Sequence, residues 1–158
     1  MKIAYIVLGA AESGVLKKIQ DKIAHLNRLE NVTVELHHVV DAKGIWVRIA
    51  NRLDALPFFW RFSVYFRQVS VFRALRAFVN CRTLDALIIR YPFADFNLWM
   101  FVASCKVKII FEHNSLELDE LRLRRTNSWY YRYFYFNERL FGPVVRRHAS
   151  SMIAVTEE

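Results

Sequence analysis

Two hydrophobic patterns alternate along the chain, and together they predict strands followed by helices. Residues 3–8 form a continuous apolar run, which is typical of a strand covered on both faces. From Val15 to Leu26 the apolar residues recur every three or four positions, with lysines and other polar residues between them. This spacing predicts an amphipathic helix, and Ser13 is placed to cap its amino terminus.

The rest of the chain repeats this alternation. Further strands are predicted at residues 32–40, 85–90, 107–111 and 151–155. Helices are predicted at residues 96–105, 116–125 and 130–148, with a break or kink at Gly142-Pro143. Residues 44–82 predict two helices hinged near Pro57. This order indicates an α/β, Rossmann-like domain of three layers, with a parallel sheet of about five strands in the order 3-2-1-4-5.

Length and composition fit one globular domain. The chain has 158 residues, of which 54% are hydrophobic, so it can bury a sizeable core without a disulfide or a metal. Its net charge of +8 favours an anionic partner, such as a lipid surface, a nucleic acid or a phosphorylated small molecule. Cys81 and Cys105 follow no metal-binding or redox spacing, so we expect a reduced, cytoplasmic protein without a metal site.

The amino terminus has a second interpretation. Lys2, the apolar run and Gly9-Ala10-Ala11 together resemble a short signal peptide. The loop and the amphipathic helix that follow directly favour a buried first strand instead. No apolar run reaches the roughly 18 residues that a membrane-spanning helix needs.

Candidate ligand-binding residues follow the predicted strands, because ligands of parallel sheets bind beyond the carboxyl ends of the strands. Gly9, Ser13 and Gly14 follow the first strand and precede a helix amino terminus, which favours an anion such as a diphosphate. The loop has neither the dinucleotide-binding glycine pattern nor the P-loop pattern. A tight turn without a ligand explains the two glycines equally well.

Two more strands end in polar residues. Arg90 and Tyr91 end the third strand, and Glu112, His113 and Asn114 follow the fourth. His113 could donate a hydrogen bond to a sugar hydroxyl or a phosphate, with Glu112 favoured over the nearby Glu117 as its orienting partner. Arg90 could hold a phosphate or a carboxylate with two hydrogen bonds. Structural roles remain the alternative for both: a satisfied histidine, and an arginine paired with a neighbouring acid.

The region from residue 44 to residue 82 is basic and aromatic. The region contains seven arginines and only one acid, Asp54, and aromatic residues lie between the arginines in sequence. A helix with a basic face and an aromatic face suits an anionic membrane surface, which predicts membrane contact at Arg61, Arg67, Arg73 and Arg76. In the alternative interpretation, the aromatic residues face the sheet and the arginines are solvated.

Several segments together resemble the N-terminal domain of retaining, nucleotide-sugar glycosyltransferases of the GT-B fold, similar to glycosyltransferase family 4. They are residues 1–6 with the glycine loop, 86–92, 110–114 and 138–158. The resemblance implies that residues 1–158 form the acceptor-side domain, partnered by the chain's own C-terminal, donor-binding domain. It also implies a nucleotide-diphosphate sugar as donor, no cofactor bound by this domain, and His113 as the catalytic residue near the transferred sugar.

The same resemblance implies an acceptor that is lipid-linked or a cell-surface polysaccharide precursor, and peripheral attachment to the inner face of the membrane. The family's second domain, with its paired glutamates, is not in this sequence, so we expect these 158 residues alone not to transfer sugar.

Three other functions compete with this one. A Rossmann-like nucleotide- or phosphate-binding module of another enzyme class would bind a nicotinamide cofactor, against which the glycine pattern argues. A response-regulator domain needs an acidic cluster after the first strand and an aspartate at the end of the third. This chain has Gly9-Ala10-Ala11 and Arg90-Tyr91 at those positions, which argues against that class. A nucleic-acid binder would rest on charge alone, and since no motif supports it we expect no nucleic-acid partner.

Overall fold

A computed structural model describes residues 1–9, 13–39, 44–56, 59–113, 117–124 and 129–154, without the side chains of residues 60, 61, 117, 118 and 120. The strands of the described part are β1 (Lys2–Leu8), β2 (Thr33–Val39), β3 (Ala86–Arg90), β4 (Lys108–His113) and β5 (Ser151–Ala154). The helices are α1 (Ser13–Leu26), α2 (Ile45–Asp54), α3 (Trp60–Asn80), α4 (Phe96–Ser104), α5 (Glu117–Arg124) and α6 (Trp129–His148). The predicted α/β class and the single five-stranded parallel sheet are confirmed.

The predicted strand order is wrong. The strands lie in the order β2-β1-β3-β4-β5, so β2 is an edge strand and β3 lies inside the sheet next to β1. The residues explain this arrangement. Strand β2 carries Thr33, Glu35 and two half-buried histidines, which an edge tolerates, whereas Ala86 to Ile89 of β3 are all buried and need neighbours on both sides.

Helices cover both faces of the sheet, as the three-layer prediction requires. On one face, Ile19 and Ile23 of α1 pack against the first three strands. On the other face, α3, α4 and α6 bury a larger core against β1, β3 and β4, with Leu75, Phe101 and Val145 among its members. The chain reverses its direction across the sheet between β1 and β3, and this is the point at which parallel sheets open a crevice for ligands.

Helix α6 and strand β4 each differ in one detail from the sequence prediction. Helix α6 continues through Gly142 and Pro143, so the predicted break is absent. Pro143 has no N–H to donate, so the carbonyl one helical turn earlier lacks its usual hydrogen bond. Since Pro143 is exposed, water can solvate this carbonyl. Strand β4 extends as far as His113, so this residue belongs to the strand. Ser13 is the first described residue of α1, and Pro57 lies outside the described residues.

Candidate functional site

The loop after β1 begins with a turn at Gly9. This residue has φ +78°, a conformation that favours glycine. Its N–H donates to the Val39 carbonyl at 3.0 Å, and its own carbonyl lies 2.7 Å from His38 Nε2. The Gly9 amide is therefore already bonded to β2, and residues 10–12, which continue the predicted glycine loop, lie outside the described residues. Gly14 lies in the first turn of α1.

The residues at the ends of β3 and β4 separate onto the two faces of the sheet, because successive residues of a strand point to opposite faces. Phe111 belongs to the core under α3, α4 and α6, and His113 lies on that same face. Glu112 points to the α1 face, where it pairs with Lys22 at 3.0 Å. The expectation that Glu112 orients His113 is therefore wrong.

On the α1 face, a polar cluster surrounds Glu112. Arg90 lies opposite Glu112 in the β3–β4 register. The hydroxyl of Tyr5 is buried close to the Glu112 carboxylate but forms no hydrogen bond of good geometry. Burial raises the pKa of the Tyr5 phenol well above its usual range, the neighbouring Glu112 raises it further, and the positive charge of Arg90 opposes both. This cluster brings together two predicted site residues, Arg90 and Glu112.

On the opposite face, the Tyr91 ring lies against His113. The two ring centroids are 4.3 Å apart and the planes differ by 26°, which is a stacked arrangement. Phe111 meets the Tyr91 ring edge-on, with the centroids 5.1 Å apart. His113 as a residue is half-buried, and the Nε2 atom of its imidazole, which rests on the Tyr91 ring, is buried. The structure thus brings together two predicted site residues, Tyr91 and His113. Asn114 lies outside the described residues.

A buried carboxylate holds Tyr91 in this position. The Tyr91 hydroxyl donates to both carboxylate oxygens of Glu138 on α6, at 3.0 and 3.1 Å. The same carboxylate accepts the Ala94 N–H at 2.5 Å and pairs with Arg146 at 2.5 Å. Glu138 has 0% relative exposure, and an acid this deeply buried needs such partners to offset its lost hydration.

A second buried acid caps α4 beside this network. Asp95 accepts the Leu98 N–H at 2.8 Å, as an amino-terminal cap does. The Tyr133 hydroxyl of α6 lies 3.4 Å from its other oxygen. Burial raises the pKa of the Asp95 carboxyl, and the hydrogen bonds from Leu98, Asn97 and Tyr133 oppose this shift. Tyr91 and Asp95 thus bound a short connection, from the end of β3 to α4, that is fixed to α6 at both ends.

The arginines predicted to contact a membrane make contacts inside the molecule. Arg67 pairs with Asp54 of α2 at 2.6 Å. Arg73 lies over the Trp46 ring of α2, 6.0 Å from its centroid. Arg76 donates to the Met100 carbonyl and to Ser104 at the end of α4, at 3.1 and 2.8 Å. The side chain of Arg61 lies outside the described residues. These contacts tie α3 to its neighbours, and whether the arginines also touch a membrane stays a prediction.

Exposed apolar side chains gather where α2 meets α3. We call Leu56, Phe59 and Phe62 the α2–α3 corner. Their relative exposures are 49%, 54% and 58%, and the Phe59 and Phe62 rings touch, with their centroids 6.5 Å apart. Arg52 is exposed one helical turn before Leu56. The corner therefore combines apolar tips with a nearby positive charge.

The prediction from sequence missed the role of Glu138 and Arg146. The helical spacing carried a sign of it, because Phe134, Glu138, Gly142 and Val145 share the buried stripe of α6. A lone acid on an apolar helix face has to have a buried partner. The sequence could not reveal that this partner is Tyr91, 47 residues away along the chain.

In the described part of the chain, no three His, Cys, Asp or Glu side chains gather where they could hold a metal ion. None of the helices in the described ranges has the length and apolar character that crossing a membrane requires. The chain matches no known family model, no curated protein and no solved structure.

Proposed function

We propose that this domain is the acceptor-side half of a glycosyltransferase that uses a nucleotide-diphosphate sugar. One observation carries the proposal: the Gly9 turn, Tyr91 and His113 end β1, β3 and β4, which are neighbours at the point where the chain reverses direction. Ligands of parallel α/β sheets bind at this point. The resemblance of the same segments to glycosyltransferases supplies the substrate class.

In this proposal, residues on the two faces of the sheet, at the carboxyl ends of its strands, bind different parts of the substrate. The amino terminus of α1 and the Arg90 guanidinium meet the diphosphate, because both attract negative charge. His113, held on the Tyr91 ring, donates a hydrogen bond to the sugar. The donor itself is held by a second domain across the cleft, and the acceptor lies against this one.

We propose further that the domain rests on an anionic membrane through the α2–α3 corner. Exposed aromatic tips can enter the headgroup region, and nearby arginines such as Arg52 attract anionic lipid. This surface replaces Arg67, Arg73 and Arg76 as the main contact, because their guanidinium groups already bind α2 and α4. A membrane position would suit a lipid-linked acceptor.

A nuclear magnetic resonance titration tests the substrate class. We expect nucleoside diphosphates to shift the amide signals of Gly9, Arg90 and His113, with weak affinity because in this proposal the donor is held mainly by a second domain. Pyrophosphate should shift the same signals, and the dinucleotide NAD should bind no more tightly than pyrophosphate.

Arg90→Gln should weaken these shifts. The matched change Arg82→Gln should not, because Arg82 lies at the opposite edge of the sheet, paired with Glu35. Tighter binding of NAD than of any nucleoside diphosphate would favour the alternative, a nucleotide-binding module of another enzyme class. Signals at the carboxyl edge that stay unshifted by all three ligands would contradict both.

A further inference from the structure

We propose that Glu138 is a positioning residue that sets the orientation of His113 by anchoring the Tyr91 ring. Only the functional importance of this orientation rests on the proposed function. The anchoring itself is a property of this domain.

The Glu138 carboxylate binds both the connection from β3 to α4 and its own helix. It is fully buried and lies at hydrogen-bond distance from the Tyr91 hydroxyl, the Ala94 N–H and the Arg146 guanidinium. The first two partners belong to the segment that follows β3, and the third belongs to α6. Glu138 therefore fixes both the hydroxyl of Tyr91 and the backbone three residues later, which leaves the ring little freedom to rotate or shift.

Helix α6 is shaped around this carboxylate. Glu138, Gly142 and Arg146 occupy successive turns of one helix face, because they are four residues apart. A Cβ on Gly142 would overlap the Glu138 carboxyl group. The glycine thus leaves space for the carboxylate to fold along its own helix, toward Arg146 on one side and Tyr91 on the other.

The Tyr91 ring transmits the anchoring to His113. The imidazole stacks on the face of this ring, and Phe111 supports the ring from its edge. Glu112, the carboxylate adjacent in sequence, is on the other side of the sheet with Lys22. On the face of the sheet where the His113 ring lies, Glu138 acts on this ring through Tyr91.

The test measures the ring proton signals of His113 in the 158-residue chain by nuclear magnetic resonance. A stacked tyrosine ring moves these signals upfield, so the upfield displacement reports the stack. Tyr91→Phe removes one oxygen atom, Glu138→Gln keeps the side-chain shape, and Arg146→Met removes the ion pair. We expect each variant to lose most of the displacement, with Tyr91→Phe retaining the fold because its change is the smallest.

Arg147→Met is the matched control for Arg146→Met, since Arg147 is the adjacent residue and is exposed; its His113 signals should stay as in the parent chain. An unchanged displacement in Tyr91→Phe would overturn the proposal, whatever the stability of the other two variants. This readout needs no nucleotide or sugar. The His113 measurement can thus contradict the anchoring while the nucleotide titration supports the proposed function, and it can support the anchoring while the titration fails.

Discussion

At the scale of single residues, the two glycines in the described helices differ in the space available for a side chain. Gly142 faces the Glu138 carboxyl group, and a Cβ there has no space. Gly14, in the first turn of α1, has nothing within 4 Å of the position where its Cβ would lie. The same substitution at the two sites therefore separates a packing effect from a helix-propensity effect.

We expect Gly142→Ala to lower the free energy of unfolding by about 1–3 kcal/mol, because the added methyl group displaces a buried carboxylate from its partners. Gly14→Ala should raise it by about 0.5 kcal/mol, since alanine restricts the unfolded chain and favours the helix. Urea unfolding of both variants measures these changes. A shift of the same sign in both would contradict the packing explanation.

Asp95 predicts a dependence of stability on pH. Its pKa is raised in the folded domain by burial, so the folded state binds this proton more tightly than the unfolded chain does. The stability from this group is present below the unfolded pKa, about 3.9, and is lost as the pH rises through the raised folded pKa. Asn is also a good helix cap and does not ionise.

Asp95→Asn should therefore become more favourable relative to the parent chain as the pH rises. Urea unfolding at about pH 3 and about pH 7 gives the difference in unfolding free energy between variant and parent at each pH. A difference that stays constant would show that the hydrogen bonds from Leu98, Asn97 and Tyr133 balance burial, and a change in the opposite direction would show that they outweigh it.

At the scale of elements, α3 has two halves with different surroundings. Phe72, Leu75 and Val79 bury its second half against the sheet. Its first half packs on α2, where Arg67 meets Asp54 and Trp46 stacks with Phe66. The aromatic residues of this region are therefore divided, some in the core and others exposed at the α2–α3 corner. Hydrophobic spacing alone could not assign each residue to one group.

Phe62→Ser should reduce co-sedimentation with anionic vesicles while leaving the unfolding free energy nearly unchanged, because the side chain is 58% exposed. Phe136→Ser is the matched control, since Phe136 is 61% exposed and lies on a different helix, α6. We expect it to sediment with vesicles as the parent chain does. Equal losses in both variants would point to a general apolar effect, and no loss in Phe62→Ser would exclude the corner as the contact.

The candidate site shows what local sequence can supply. The position of Tyr91 and His113 at strand ends follows from the apolar runs that precede them. The assignment of Glu112 to His113 failed because neighbours on a strand face opposite ways. The true support for the Tyr91 ring comes from Glu138, at a sequence separation of 47 residues, which no local pattern specifies.

At the scale of the whole molecule, the strand order sets which residues meet. Because β3 lies between β1 and β4, Tyr91 lies beside the turn at Gly9 and close to His113. In the predicted order β1 would have lain next to β4, with β3 at the far edge, which would have separated Tyr91 from His113. All four residues of β5, at the other edge of the sheet, are exposed, so the described helices leave this strand open.

The sequence by itself determined the strands, the helices and the α/β class, because hydrophobic periodicity and turn residues act over a few positions. It also determined that polar residues end the strands. Only the tertiary structure decided the order of the strands, the face on which each site residue lies, and the partners of Glu138 and of the α3 arginines. These depend on which buried surfaces fit together across the sheet, and contacts between residues distant in sequence have no local signature.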